Sequence, residues 1–217
     1  MIVTIDGPAG TGKSTVARML ADRLGFEFLN TGAMYRAVAY ACLERNLDLS
    51  NDRDVANIAN ALEILFSDNR LMLGGHDVTD AIRGQEVTQS ASIVAANPSV
   101  RKRLVELQRV AGRSTNLVTE GRDQGTTVFP NAECKFFLTA SPEERARRRQ
   151  RELEEKGDFI SLADLIEQQE LRDRRDENRA CSPLQPASDA LLIDTTKMTL
   201  AEVAAYLEQL VQKVCPT

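Results

Sequence analysis

Histidine and tryptophan are almost missing from this chain: 217 residues hold one histidine, His76, and no tryptophan. With one histidine a Ser-His-Asp triad is nearly excluded, and His76, beside Gly74-Gly75 in a hairpin-like turn, is expected to be exposed. Cysteine is sparse as well. Cys42, Cys134, Cys181 and Cys215 form no C-x-x-C pair, which argues against a zinc site. Four scattered cysteines also argue against a disulfide framework and suit a reduced interior. No apolar run approaches the ~18–20 residues of a membrane span, and Met1-Ile2-Val3-Thr4-Ile5-Asp6 lacks the basic n-region of a signal peptide. The expectation is a cytoplasmic protein with no membrane partner. Lysine is the last scarcity: 6 against 21 arginines. Arginine is the side chain that grips phosphate and carboxylate with two parallel donors. The net charge of −5 argues against a nucleic-acid partner.

What is present is enough for a core. Hydrophobic residues make up 42% of the chain, and the length suits one domain with a small subdomain. Residues 2–6 read as a buried strand, and 13–24 as a helix with apolar Val16, Met19, Leu20 and Leu24 and a stop at Gly25. A second helix is expected over 31–45. Short strand-like pieces follow at 62–66, 70–73 and 77–78, separated by Ser67-Asp68-Asn69 and Gly74-Gly75. Helices are expected over 85–95 and 98–113, the latter opened by Asn97-Pro98 as cap and first helical residue. Strands over 117–119, 134–138 and 190–193 then alternate with helices starting at Ser141-Pro142, Ser161 and Thr199. This rhythm predicts an α/β three-layer fold with a central parallel sheet. The core would be residues 1–61 and 114–217. A subdomain with a small antiparallel sheet would be inserted at about 62–113, and a short lid would span about 150–165.

Gly7-Pro8-Ala9-Gly10-Thr11-Gly12-Lys13-Ser14 fits G-x-x-x-x-G-K-[ST] at every position. Glycines let backbone N–H groups turn inward around phosphate oxygens, and the following helix aims its positive end at them. Lys13 would place a charge on the β- and γ-phosphates, and the Ser14 hydroxyl would ligate Mg²⁺, with Thr15 beside it. A strand precedes the motif and a helix follows it, as a nucleotide loop requires. ATP or GTP is therefore the expected ligand. The chain has no Asn-Lys-x-Asp motif for guanine, and Leu29-Asn30-Thr31-Gly32 offers no acidic pair after the second strand. A regulatory GTPase and a shikimate-type kinase are thus disfavoured, leaving a small kinase with a second, phosphorylated substrate.

The arginines suggest where that substrate goes. Arg122 lies in Glu120-Gly121-Arg122-Asp123-Gln124-Gly125-Thr126, just after a strand, where α/β sheets bind ligands. Arg36 follows Asn30-Thr31-Gly32-Ala33-Met34-Tyr35. Arg172, Arg175 and Arg179 lie at the end of the long polar helix, where neighbouring Asp173, Asp176 and Glu177 equally suit a solvated face. Arg145-Ala146-Arg147-Arg148-Arg149-Gln150-Arg151 is either a lid approaching ATP, hinged at Lys156-Gly157-Asp158, or a helix pairing with Glu152, Glu154 and Glu155. From these residues alone, a kinase for CMP, UMP or AMP and an ATP-driven switch module all remain open.

Taken together, Ile5-Asp6-Gly7-Pro8 with the phosphate loop, Asn30-Thr31-Gly32-Ala33-Met34-Tyr35-Arg36, Gln85-Glu86-Val87, Glu120-Gly121-Arg122-Asp123, Thr127-Val128-Phe129-Pro130 and Arg172-Asp173-Arg174-Arg175-Asp176-Glu177-Asn178-Arg179 resemble the bacterial-type cytidylate kinases over nearly the whole chain. The resemblance implies transfer from ATP, with Mg²⁺, to CMP and dCMP. It implies that Arg36, Arg122 and Arg179 grip the CMP phosphate, that Ser92, Arg101 and Asp123 read cytosine, and that Arg172 and Asp176 touch the ribose. Lys13, Arg122 and Arg179 would be catalytic, and Arg148 would join the phosphate loop in holding ATP. Thr31 stands where some relatives carry serine and keeps the hydroxyl for the substrate. Gln124 stands where an aliphatic residue is common. A monomer is expected, since no heptad or long apolar face announces a partner.

Overall fold

The computed structural model describes residues 1–67, 70–155 and 157–214. Asp68 and Asn69 of the first expected turn, Lys156 of the expected hinge, and Cys215 lie outside them. The chain divides into two compact units, Met1–Leu29 with Ala111–Thr217, and Asn30–Val110. The second unit takes in more chain than residues 62–113, because the helices before that stretch belong to it.

The first unit is built on strands β1 (Ile2–Asp6), β2 (Glu27–Asn30), β6 (Leu117–Gly121), β7 (Cys134–Thr139) and β8 (Leu191–Asp194), in the order β2-β6-β1-β7-β8. The β1–β6, β1–β7 and β7–β8 pairings are parallel, with Asp6 opposite Gly121 and Phe137. Every residue of β6 is buried, as is all of β1 after Ile2. This is the near-continuous burial of strands covered on both faces. Helices α1 (Lys13–Leu24) and α8 (Leu200–Val214) pack together on the sheet. Val16 and Leu20 of α1 and Val203 and Leu207 of α8 join Val3, Ile5, Phe136 and Leu138 in one core. Thr199 and Glu202 close the expected capping box on α8: the Glu202 N–H donates to Thr199 Oγ1 at 3.2 Å, and the Thr199 N–H to Glu202 Oε2 at 2.8 Å.

Helices α6 (Pro142–Glu154) and α7 (Leu162–Glu177) form a hairpin with its own apolar cluster, in which Ala146, Leu153 and Leu165 meet Ile160 and Ile166. Ser141 and Ser161 cap them, accepting from the N–H groups of Glu144 and Asp164. Chain order runs outward from β1 on one side to β6 and on the other to β7. Ligands in such sheets sit beyond the carboxyl ends of the strands at that switch point. Gly7 follows β1 there, and Arg122 follows β6.

The second unit holds α2 (Thr31–Leu43), α3 (Asp52–Ala61), an antiparallel sheet of β3 (Ile64–Ser67), β4 (Arg70–Leu73) and β5 (His76–Asp77), then α4 (Gln85–Val94) and α5 (Pro98–Ala111). Helix α3 was not anticipated. Its signals were short: an Asn51 cap, Asp52 and Asp54 in the first turn, and only Val55 and Ala59 buried. Asn97 performs the expected capping of α5 and also ties it to α3. Its Oδ1 accepts from the N–H groups of Ser99 (3.0 Å) and Val100 (3.2 Å), while Nδ2 donates to the Asp52 carbonyl at 2.8 Å. Asn97→Ala is expected to lower stability by about 1–2 kcal/mol, read as a shifted denaturant midpoint. An unmoved midpoint would contradict this double role. Of the described cysteines, Cys42 and Cys134 are buried thiols and Cys181 is exposed.

Candidate active site

The turn after β1 needs glycine for a steric reason. Gly7 has φ 144°, and a Cβ there would lie 2.1 Å from the Leu138 carbonyl oxygen. The loop therefore lies tight against the end of β7 before entering α1. No side chain caps α1, and its first turn carries no acid, so its exposed N–H groups and dipole favour an anion. Inside the loop, Lys13 Nζ donates to the Pro8 carbonyl at 2.6 Å and to Thr11 Oγ1 at 3.3 Å. Thr11 Oγ1 in turn donates to the Pro8 carbonyl. Burial, and then the charge of Arg122, push the Lys13 ammonium well below the ordinary lysine range, with Glu120 and Asp173 opposing them. Ser14 and Thr15 are exposed on the first turn of α1.

The Ser14 hydroxyl donates to Glu120 Oε1 at 2.8 Å. Glu120 is a buried carboxylate at the end of β6, to which the sequence reading gave no role of its own. A hydroxyl and a carboxylate side by side suit Mg²⁺, which takes oxygen ligands and needs few from the protein.

Beyond β6 the chain makes a single turn of π-helix at Gln124–Val128, a form with no sequence signature. Asp6 holds its start, accepting from the N–H groups of Gln124 (2.9 Å) and Gly125 (2.8 Å). Burial pushes the Asp6 carboxyl up to about 7; the two N–H donors pull it down and the charge of Asp123 adds to the rise. Gln124 is also accounted for. Its Oε1 accepts from Thr119 Oγ1 at 3.0 Å in a buried pair that an aliphatic side chain could not make.

Arg122 Nε donates to Asp176 Oδ2 at 2.8 Å and its Nη1 to the Gly121 carbonyl at 3.2 Å, while Arg179 pairs with Asp176 Oδ1. Burial works against ionising Asp176, yet Arg122, Arg179 and Arg172 hold its carboxyl below the usual range. The guanidinium of Arg122 is likewise held above its usual value, against the cost of burial, chiefly by Asp176. Two of the three arginines expected at the substrate phosphate, Arg122 and Arg179, are thus held by one carboxylate, with the charge of Arg172 nearby.

The solvated reading of the long helix is corrected for two of its aspartates. Asp173 and Asp176 are buried, on the face that continues from Leu165 and Gln169, whereas Arg174 and Arg175 are exposed. The arginine run splits in the same way. Arg147 and Arg149 are surface partners of Glu143 and Glu152. Arg148 lies at the root of the hairpin, donating to the Thr195 carbonyl at 2.6 Å and to the Thr11 carbonyl of the phosphate loop at 3.3 Å. Arg145 is buried against Asp173. Leu165, Gln169, Asp173 and Asp176 share one helical face, a spacing that could have revealed the buried acids.

Four of the expected residues belong to the second unit. Thr31 is buried at the start of α2 and Arg36 is half-buried one turn later. The Ser92 hydroxyl donates to the Gln89 carbonyl at 2.8 Å. The Arg101 guanidinium stacks 5.6 Å from the Tyr35 ring centroid and donates to the Ala95 carbonyl.

A sequence model described as Cytidylate kinase matches residues 3–213. A cytidylate kinase of Desulfitobacterium hafniense is 50% identical over 93% of this chain and 88% of its own length. One from Rhodopirellula baltica is 45% identical over 98% and 93%. Among solved structures, TT1252 from Thermus thermophilus shares the fold with a TM-score of 0.51 at 17% identity, covering 100% of this chain and 98% of its own. With relatives this similar over most of both chains, the chain belongs to the cytidylate kinase family.

Proposed function

We propose that the protein transfers the γ-phosphoryl group of ATP to CMP and dCMP, giving ADP and CDP or dCDP. The observation that carries this is the pairing, in one unit, of a complete phosphate loop with the buried Arg122–Asp176–Arg179 cluster. Phosphoryl transfer asks little covalent work of a protein; positioning and charge neutralisation dominate. A phosphate oxygen of CMP attacks the γ-phosphorus in line as the bond to the ADP oxygen breaks. Lys13 neutralises charge on the β- and γ-phosphates as it shifts. Arg122, Arg179 and Arg36 hold the acceptor phosphate, so that two anions can meet. The Ser14 hydroxyl, with Glu120 beside it, would hold Mg²⁺, which supplies charge neutralisation at the donor phosphates. Arg148 braces the loop from the hairpin, whose tip at about 150–165 closes over ATP and excludes water. Thr31 keeps a hydroxyl for the substrate, and Arg172 and Asp176 meet the ribose. No obligate general base is required. The enzyme works as a cytoplasmic monomer.

Cytosine presents an amine donor where uracil presents a carbonyl acceptor. Asp123 accepts from that amine and repels the carbonyl, while Arg101 and Ser92 serve the ring carbonyl and N3. An Asp123→Asn variant, whose amide also donates, is expected to narrow the CMP-over-UMP ratio of kcat/KM by about 10-fold. An unchanged ratio would refute the assignment. The function itself is tested by ADP release from Mg²⁺-ATP with CMP, dCMP, UMP, AMP and GMP in turn. Stimulation confined to the cytidine nucleotides supports it. Hydrolysis indifferent to the monophosphate would favour an ATP switch, and preference for UMP or AMP another kinase.

A further inference from the structure

We infer that Arg145 and Asp173 form a latch that positions the phosphate loop for its nucleotide, and that neither acts merely as hairpin structure. The inference rests on the loop being the donor site. Both polar groups of a single loop peptide residue end on this ion pair. The Ala9 N–H donates to Asp173 Oδ1 at 2.9 Å, and the Ala9 carbonyl accepts from Arg145 Nη1 at 2.9 Å. Arg145 pairs with Asp173 through the other carboxylate oxygen. The two side chains are less than a tenth exposed.

The neighbouring residue has no slack either. Gly10 has φ 78°, and a Cβ there would lie 2.8 Å from Gln169 Nε2 and 3.1 Å from the Arg145 carbonyl oxygen. Gln169 Nε2 itself donates to that carbonyl at 3.2 Å. The loop thus lies against α6 and α7 at residues 9 and 10.

The orientation matters more than the attachment. A trans peptide points its C=O and the next N–H in opposite directions. Anchoring the Ala9 carbonyl on Arg145 therefore aims the Gly10 N–H away from α6. A glycine-rich loop left to itself has many conformations to lose on binding, and fixing them beforehand raises affinity without new contacts to the ligand. A buried ion pair is a poor device for stability alone, since packed apolar residues often do as well. Its use here lies in directing hydrogen bonds at the loop. Asp173 and Asp176 also sit three residues apart on α7, one holding the donor loop and the other the acceptor arginines.

The test compares Arg145→Met/Asp173→Leu, Arg145→Lys and Asp173→Asn with the wild type. Each is read by calorimetric binding of Mg²⁺-ADP without CMP, by the KM values for ATP and CMP, and by Tm. The apolar double variant is expected to keep its Tm within a few degrees, since the buried charges leave together. It should bind ADP about 10-fold more weakly, and its KM for ATP should rise while that for CMP stays within about 2-fold. Arg145→Lys, which still reaches the Ala9 carbonyl and Asp173, should recover most of the affinity; Asp173→Asn, lacking the charge, should not. A folded double variant that binds ADP like the wild type would overturn the latch. So would equal rises in both KM values that track the loss of Tm across the set, because that is plain structural damage. A wild-type chain that binds no ADP would instead overturn the donor-site reading, and the latch with it.

Discussion

Lys13→Ala lowers the rate of phosphoryl transfer by about 10²-fold or more at saturating ATP and CMP, as loss of a preorganised charge facing a developing anion should. The size follows from where the ammonium sits. It is buried within the loop it serves, donating to the Pro8 carbonyl at 2.6 Å and to Thr11 Oγ1 at 3.3 Å. In water a mobile cation would be solvated and screened; here it has little reorganisation left to undergo. Its charge is also held at some cost, because burial and Arg122 disfavour it while Glu120 and Asp173 support it. Anionic phosphates favour the charged form in the same way as those carboxylates. Lys13→Arg should not rescue the rate, since a planar guanidinium does not occupy the volume of a compact ammonium. Single-turnover transfer measures the effect directly, and near-normal turnover in Lys13→Ala would remove the loop from the mechanism.

The phosphate loop was legible in sequence because its chemistry is contiguous: eight adjacent residues define the turn, the charge and the helix start. Caps were legible for the same reason, and Ser141, Ser161, Asn97 and Thr199 each hold the N–H groups expected of them. The buried carboxylates were not. Asp173 and Asp176 sit in a stretch so rich in charge that a solvated face is the ordinary reading. What buries them comes from far along the chain, Ala9 for one and Arg122 for the other. Arg145 and Arg147 differ by two positions in one run and look alike in composition. Helix geometry turns the first into the unit and the second to solvent. The role of Glu120 was hidden likewise: its partner Ser14 lies 106 residues away. Charge counting singled out the arginines but could not tell which acids hold them.

Asp176→Ala carries the largest expected effect on stability, and it lowers activity with it. The carboxylate is 2% exposed and carries Arg122 on one oxygen and Arg179 on the other. Removing it takes the main counter-charge from two buried guanidinium groups, a loss of about 3–5 kcal/mol. For a chain of this size that lowers Tm by about 10 °C. Transfer to CMP should fall as well, by about 10²-fold in kcat/KM, because arginines no longer aimed by a fixed partner reach the phosphate in the right geometry less often. The pH dependence has a definite sign. The Asp176 carboxyl is depressed in the folded protein, so it contributes stability above the pKa of an unfolded aspartate, and that contribution is lost as pH falls through its folded value. Asp176→Asn should therefore flatten part of the acid limb of the Tm profile of the wild type. Adding Arg122→Met to Asp176→Ala should recover some Tm, since one stranded charge is gone, yet recover no activity, because a phosphate ligand is gone with it. If Asp176→Ala melted like the wild type and still phosphorylated CMP, the arginines would have to be held by something other than this carboxylate.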